Sequence, residues 1–221
     1  MIRRSFSEHI KELEQDIVGM GQMVAQAIEG SIEALKKQDL DSAQRIIDGD
    51  ERVNQKRWEI EEACITLMAT QQPVATDLRE IIAVLNIVTE LERMGDYAEG
   101  IAKIVILHGR EPQIKALVDI PQMAQKATSM LRRSLEAFVA RDAKTAEAIC
   151  DEDDEVDHLH DQVYRVMLTY MMENPKTITR ATYMIWAAHN IERIADRVTN
   201  ICERIVFLAT GKMPQVKVSK Y

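Results

Sequence analysis

The sequence predicts an all-α protein made of two tandem, internally duplicated three-helix bundles with short antiparallel connections. Three observations carry this. First, ELERMGD (residues 90–96) returns 100 residues later as NIERIAD (residues 190–196), sharing Glu92-Arg93 and Asp96 with Glu192-Arg193 and Asp196. Second, residues 31–54 match residues 134–157 at a spacing of 103, with identities at Ser31/Ser134, Glu33/Glu136, Asp39/Asp142, Ala43/Ala146, Ile46/Ile149, Asp48/Asp151, Asp50/Asp153 and Val53/Val156. Self-similarity at a fixed period decides architecture, because each copy is one structural unit. Third, apolar residues make up 46% of the chain but aromatics only 5%. A composition led by Ala, Ile, Leu, Met and Glu suits helices better than sheets.

The elements follow from the breaks. The five prolines separate long amphipathic segments, so the sequence predicts helices over 6–37, 39–71 and 75–108, then 118–141, 142–173 and 177–210. Asp39 and Asp142 follow Gln38 and Arg141 at equivalent turns, where a short acidic side chain can cap the next helix. Pro73 and Pro175 mark the second turn of each unit. Gly109 to Pro112 and Gly211 to Pro214 close the third helices in Gly-x-x-Pro, a C-terminal stop signal. Helices this long joined by turns this short lie antiparallel. The resulting division is 1–112 for the first bundle, 113–120 for a linker, 121–214 for the second bundle and 215–221 for a frayed tail. At 100° per residue, Leu91, Met94, Gly95, Ala98, Ile101, Ala102 and Val105 share one arc. Ile191, Ile194, Ala195, Val198, Ile201, Cys202 and Ile205 share the matching arc in the second copy. Gly95 and Ala195 leave room for a neighbouring helix, and the side carrying Arg193, Arg197 and Arg204 is expected to face water.

Composition excludes several functions. A net charge of −8 argues against nucleic acid, which needs clustered Lys and Arg. No apolar run reaches the roughly 20 residues of a spanning helix, and the N-terminus lacks the apolar stretch of a signal peptide, so a cytoplasmic location is expected. Cys64, Cys150 and Cys202 stand apart in apolar-periodic stretches and read as reduced core thiols. The chain has no Gly-rich phosphate loop, nucleophile elbow or Cys/His dyad, which favours a binding protein over an enzyme.

The candidate site is acidic. Glu92 and Asp96 are four residues apart and share a helical face, as do Glu192 and Asp196. On the second helices the same spacing joins Asp50 to Asn54 and Asp153 to Asp157. These groups sit beside the apolar arc, so they line the rim of a groove between helices two and three of each unit. Like charges so placed repel unless a cation lies between them, and carboxylates suit hard divalent ions as well as iron or zinc. The competing reading is structural. Among 36 acids in 221 residues, about six pairs at this spacing arise by chance, and Arg93 and Arg193 could neutralise their neighbours. The repetition in two diverged copies keeps the metal reading level with the salt-bridge one. Glu155 and His158 form half of a di-iron Glu-x-x-His signature, but the first copy has Arg52 and Gln55 there. His160 and His189, with no partner histidine at ligand spacing, read as ordinary polar residues.

ELERMGDYAEGI and NIERIADRVTNI resemble the paired Glu-Arg-Ile-Gly-Asp motifs of the PhoU family of phosphate-regulatory proteins. RIIDGDERVN, AICDEDDEVD and LTYMMENPKTI resemble its other signatures, and the likeness runs from about Phe6 to Lys212. The resemblance implies two three-helix bundles, often paired as a homodimer, and no enzymatic activity. It also implies a negative regulator of the phosphate-starvation response. Such a regulator is an adaptor between the ATPase subunit of the phosphate ABC transporter and the phosphate-sensing histidine kinase. It restrains phosphate uptake and meets the membrane only through its partners. It further implies metal ions (iron, zinc, manganese or magnesium), with no organic cofactor, on Asp50, Asn54, Glu92 and Asp96 and on Asp153, Asp157, Glu192 and Asp196. Two departures weaken the first site: Asn54 stands in place of an acid, and Gly100 occupies the place of Asn200 and so removes one candidate ligand. A third, Ala195 in place of the usual glycine of the second motif, implies slightly wider packing there, and the second site is expected to be the stronger. A carboxylate-bridged metalloenzyme or metal store, motivated by the same acids and His158, is the second reading.

Overall fold

The computed structural model describes residues 2–112, 114 and 119–212, with side chains from Phe6 onward. Most of the stretch read as a linker, Pro214 and the tail at 215–221 lie outside the described residues. Among the described residues every regular element is helical. The first unit comprises α1 (Ile2–Lys37), α2 (Leu40–Gln71) and α3 (Thr76–His108). The second comprises α4 (Asp119–Ala140), α5 (Ala143–Asp151), α6 (Asp153–Glu173) and α7 (Ile178–Thr210), with a 3-10 turn at Pro175–Thr177 before α7.

The helices form where apolar periodicity demands. Ile10, Leu13, Ile17, Met20, Val24, Ile28, Ile32 and Leu35 recur at steps of three or four along α1 and are all buried. The capping expected of Asp39 and Asp142 is present: their carboxylates accept from the backbone N–H of Ser42 at 3.0 Å and of Thr145 at 3.1 Å. The residues before them, Gln38 (φ 53°) and Arg141 (φ 55°), adopt the left-handed conformation without being glycine. The amides of Asp39 and Asp142 donate back to Ala34 and Ala137, closing the same C-terminal motif in both copies. Arg141 is held by Glu14 of α1, at 2.6 Å, and by Glu80 of α3. Gly109 (φ 60°) and Gly211 (φ 74°) end α3 and α7 as the stop signals require.

One element differs from expectation. The helix predicted over 142–173 is interrupted at Glu152, which ends α5 and precedes α6. Five consecutive acids (residues 151–155) span the break. It puts Asp153, Asp154 and Glu155 in the first turn of α6, where negative charge is favourable, and leaves Asp151 at the end of α5, where it is not. In the first unit Gly49 occupies the equivalent position, yet α2 runs through it unbroken.

The two units do not hang as separate beads. α3 packs along α7 and α1 along α4, so the buried residues form one continuous cluster. In the α3–α7 seam, Arg197 Nη1 donates to Glu90 Oε2 at 3.3 Å and Asn200 Nδ2 donates to the same oxygen at 3.2 Å. This corrects two expectations. Arg197 faces the other unit instead of water, and Asn200 points into the seam and away from the acidic cluster. Gly100, its counterpart, leaves space on α3 for Asn190, whose Nδ2 would lie 3.1 Å from an added Cβ.

Candidate functional site

Each unit brings its two acidic pairs together where its second and third helices meet. In the first unit α2 supplies Asp50 and Asn54, and α3 supplies Glu92 and Asp96. The helices approach closely at Gly95, where an added Cβ would lie 3.2 Å from Asp50 Oδ1 and 3.2 Å from Val53 Cγ1. Asn54 Nδ2 donates to Asp50 Oδ2 at 2.9 Å. Burial, and then the nearby charges of Asp96 and Glu99, push the Asp50 carboxyl up to about 6. Asp96 is raised for the same reasons, burial first and Glu92 next. Glu92 is compensated from across the groove: Arg57 Nη1 on α2 donates to its Oε1 at 2.8 Å.

In the second unit α6 supplies Asp153 and Asp157, and α7 supplies Glu192 and Asp196. Burial and then Asp157 push Asp153 up to about 7. Burial and then Asp196 push Glu192 up to about 7, with Arg193 opposing. Asp157 also lies above the ordinary carboxylate range, through burial and then Asp196. Arg193 Nη1 donates to Asp196 Oδ2 at 3.0 Å. Its Nε lies 3.2 Å from Glu192 Oε2 but off the hydrogen-bond direction. Glu192 Oε2 and Asp153 Oδ1 are therefore buried without a hydrogen-bond partner. Such atoms are costly unless something outside the chain satisfies them.

The units differ in the cation set over the acids. At the spacing of 103, Arg57 corresponds to His160. In the first cluster a guanidinium reaches across the groove from the second helix; in the second an imidazole stands at that position, and the guanidinium, Arg193, comes from α7. His160 also has a neighbour: its ring centroid lies 6.1 Å from that of His189. His189 Nδ1 is 3.4 Å from Glu192 Oε2. Burial, and then Arg193, lower the His189 pKa, which favours the neutral ring. The two histidines, which lack ligand spacing in the sequence, are brought together by the fold beside the second acidic cluster. Lining up the copies at the spacing of 103 would have shown the Arg57/His160 exchange. Nothing in the linear sequence signalled His189, which comes from the other helix. Glu99, beside Asp50 and Asp96 and paired with Lys103, was likewise missed.

In the second unit two buried carboxylate oxygens lack a hydrogen-bond partner, and the guanidinium beside the acids, Arg193, comes from α7 itself. The placement is not that of a finished site, however. Among the described residues, no three His, Cys, Asp or Glu side chains converge closely enough to hold a metal ion. His158, the half-signature of a di-iron centre, is exposed and turned to the backbone carbonyl of Asp154. Glu155 is paired with Lys126. Neither reaches the cluster.

The two units and their mirrored clusters are matched by a family model described as the PhoU domain, once over residues 17–105 and again over 120–205. The chain belongs to the PhoU family. A relative from Clostridium acetobutylicum, named phosphate-specific transport system accessory protein PhoU homolog, is 38% identical over 96% of this chain and 97% of its own. The phosphate-specific transport system accessory protein PhoU of Escherichia coli is 35% identical over 96% of this chain and 88% of its own. The crystal structure of the phosphate transport system regulatory protein PhoU from Streptococcus pneumoniae has a TM-score of 0.89 and 32% identity, covering 96% of this chain and all of that one. That of PhoU from Pseudomonas aeruginosa has the same score and identity, covering 94% of this chain. As a PhoU protein, the chain is a regulatory accessory protein of phosphate transport and not an enzyme, which removes the metalloenzyme alternative. Among the described residues no helix is long and apolar enough to cross a membrane.

Proposed function

We propose that this PhoU protein is a cytoplasmic adaptor that restrains the phosphate-starvation response. In this reading it docks on the ATPase subunit of the phosphate ABC transporter and on the phosphate-sensing histidine kinase. It limits uptake and keeps the kinase in its phosphatase-favouring state when phosphate is plentiful, and it works as a homodimer. The observation that carries the reading is the near full-length match to phosphate-transport accessory proteins, both halves included. Exposed apolar side chains at equivalent places in the two units fit a docking role: Ile65 and Leu168 on the second helices, Leu78 and Ile178 at the start of the third. The division at 113–120, with units at 1–112 and 121–214, is the unit boundary in this proposal.

Metal belongs to the same proposal. Asp153, Asp157, Glu192 and Asp196 would hold an ion most readily, with the weaker set at Asp50, Asn54, Glu92 and Asp96. The bound cation would compensate charge and fix the second helix of a unit against the third. The orphaned oxygens of Asp153 and Glu192 support this, and the side chains would have to draw inward to complete the shell.

The test is genetic. Deleting the gene should raise phosphate-regulated expression in high-phosphate medium, and a plasmid copy should restore repression. Unchanged expression and uptake in the deletion strain would overturn the adaptor reading.

A further inference from the structure

We propose that Cys150 and Cys202 form a reversible thiol–disulfide pair, oxidised by hydroperoxides, that ties α5 to α7. The sequence sets these cysteines far apart, and the fold brings them face to face. Cys150 lies on the last turn of α5 and aims at α7, with its Sγ 3.9 Å from the carbonyl oxygen of Thr199. Cys202 is three residues further along α7 than Thr199 and fully buried, and it is the neighbour that acts most strongly on Cys150. Both are free thiols, and Cys150 is only half-buried, so a small oxidant can reach it. In the first unit the equivalent positions are Ile47 and Ala102, both apolar and packed in or against the core. The second unit therefore puts reactive sulfur on both sides of a helix contact that the first unit fills with hydrocarbon.

The microenvironment divides the roles. Cys202 lowers the Cys150 pKa, against the opposing push of burial and of Glu203, Asp151 and Asp153. Cys150 and then burial raise Cys202. Thiolate is the nucleophile and Cys150 is the more exposed of the two, so Cys150 attacks first. Its sulfur attacks one peroxide oxygen and the O–O bond breaks. One oxygen remains as Cys150 sulfenic acid, and the other leaves as hydroxide and is protonated to water. The Cys202 sulfur then attacks the Cys150 sulfur. The S–S bond forms, the S–O bond breaks, and the hydroxyl leaves as a second water with the Cys202 proton. Two thiols have lost two electrons and two protons, and one hydrogen peroxide has become two waters. A reducing compartment would return the pair to thiols, as suits a sensor more than a structural bond. Cys64 is the internal control: it is buried alone in α2, and burial pushes its thiol up to about 12.

The test uses the full chain, treated with chelator and then with hydrogen peroxide at neutral pH. Free thiols are counted after unfolding, and non-reducing peptide mapping locates any bridge. Two of the three thiols should disappear, the Cys150 and Cys202 peptides should be joined, and dithiothreitol should restore all three. In Cys202→Ala the bridge should be absent and Cys150 should advance to sulfinic acid. Survival of all three thiols, consumption of Cys64 at the same rate, or a bridge between two chains would overturn the proposal. The wild-type map decides the matter even if the variant folds poorly.

Discussion

Replacing Glu192 by Gln should make the metal-free protein more stable at pH 8 and leave it unchanged at pH 4.5. The reasoning starts from burial. The Glu192 side chain is 16% exposed, and its carboxyl is pushed from 4.5 up to about 7, by burial first and Asp196 next. A folded-state value above the unfolded one means that the folded chain holds the proton more tightly. Stability from this group is therefore complete below about pH 4.5 and is lost as pH rises through about 7. At 1.36 kcal/mol for each tenfold change in proton affinity, the ceiling is about 3 kcal/mol. Coupling to Asp153, Asp157 and Asp196, and the need to satisfy a buried amide, reduce the expected gain to about 2 kcal/mol. For a chain of this length that is a rise of about 4–8 °C in Tm. The assay is thermal and urea unfolding of wild type and E192Q in chelator at the two pH values. A variant equal to or less stable than wild type at pH 8 would refute the reasoning. It would mean that Arg193, 3.2 Å away, already compensates the charge.

Three further outcomes follow from the same geometry. Glu192→Ala with Asp196→Ala should reduce bound metal, measured by elemental analysis, more than Glu92→Ala with Asp96→Ala; equal losses would contradict the ranking of the clusters. His160→Arg gives the second cluster the guanidinium that Arg57 provides in the first. It should weaken metal binding severalfold by titration and bring the Glu192 pKa back toward 4.5 by NMR, and an unchanged affinity would show that position 160 lies outside the ion's field. Asp39→Ala and Asp142→Ala should each cost about 1 kcal/mol in urea unfolding through loss of the N-cap, and a cost near zero in both would mean that the Ser42 and Thr145 amides find other partners.

The duplicated motifs, the proline and glycine punctuation and the apolar arcs of α3 and α7 were legible in the sequence because they are local. Capping by Asp39 and Asp142, the stop at Gly109 and the burial from Ile191 to Ile205 each depend on neighbours a few residues away. So does the pairing of acids four apart on one helical face. The break at Glu152 was missed because the apolar period continues across it, through Ile149 and Val156. The orientation of Arg197 and Asn200 was missed because Glu90 lies more than a hundred residues away and has no counterpart acid in the second unit, where Asn190 stands in its place.

By itself the sequence determined a doubled helical chain of PhoU type and which side chains border each groove. Only the tertiary structure decided that the two units share one core through α3 and α7, that His160 meets His189 beside Glu192, and that Cys150 faces Cys202. The physical reason is range. Helical periodicity is set by bonds to residues four away, whereas the charge balance of each cluster is set by whichever side chain the facing helix presents, and that choice is made by packing.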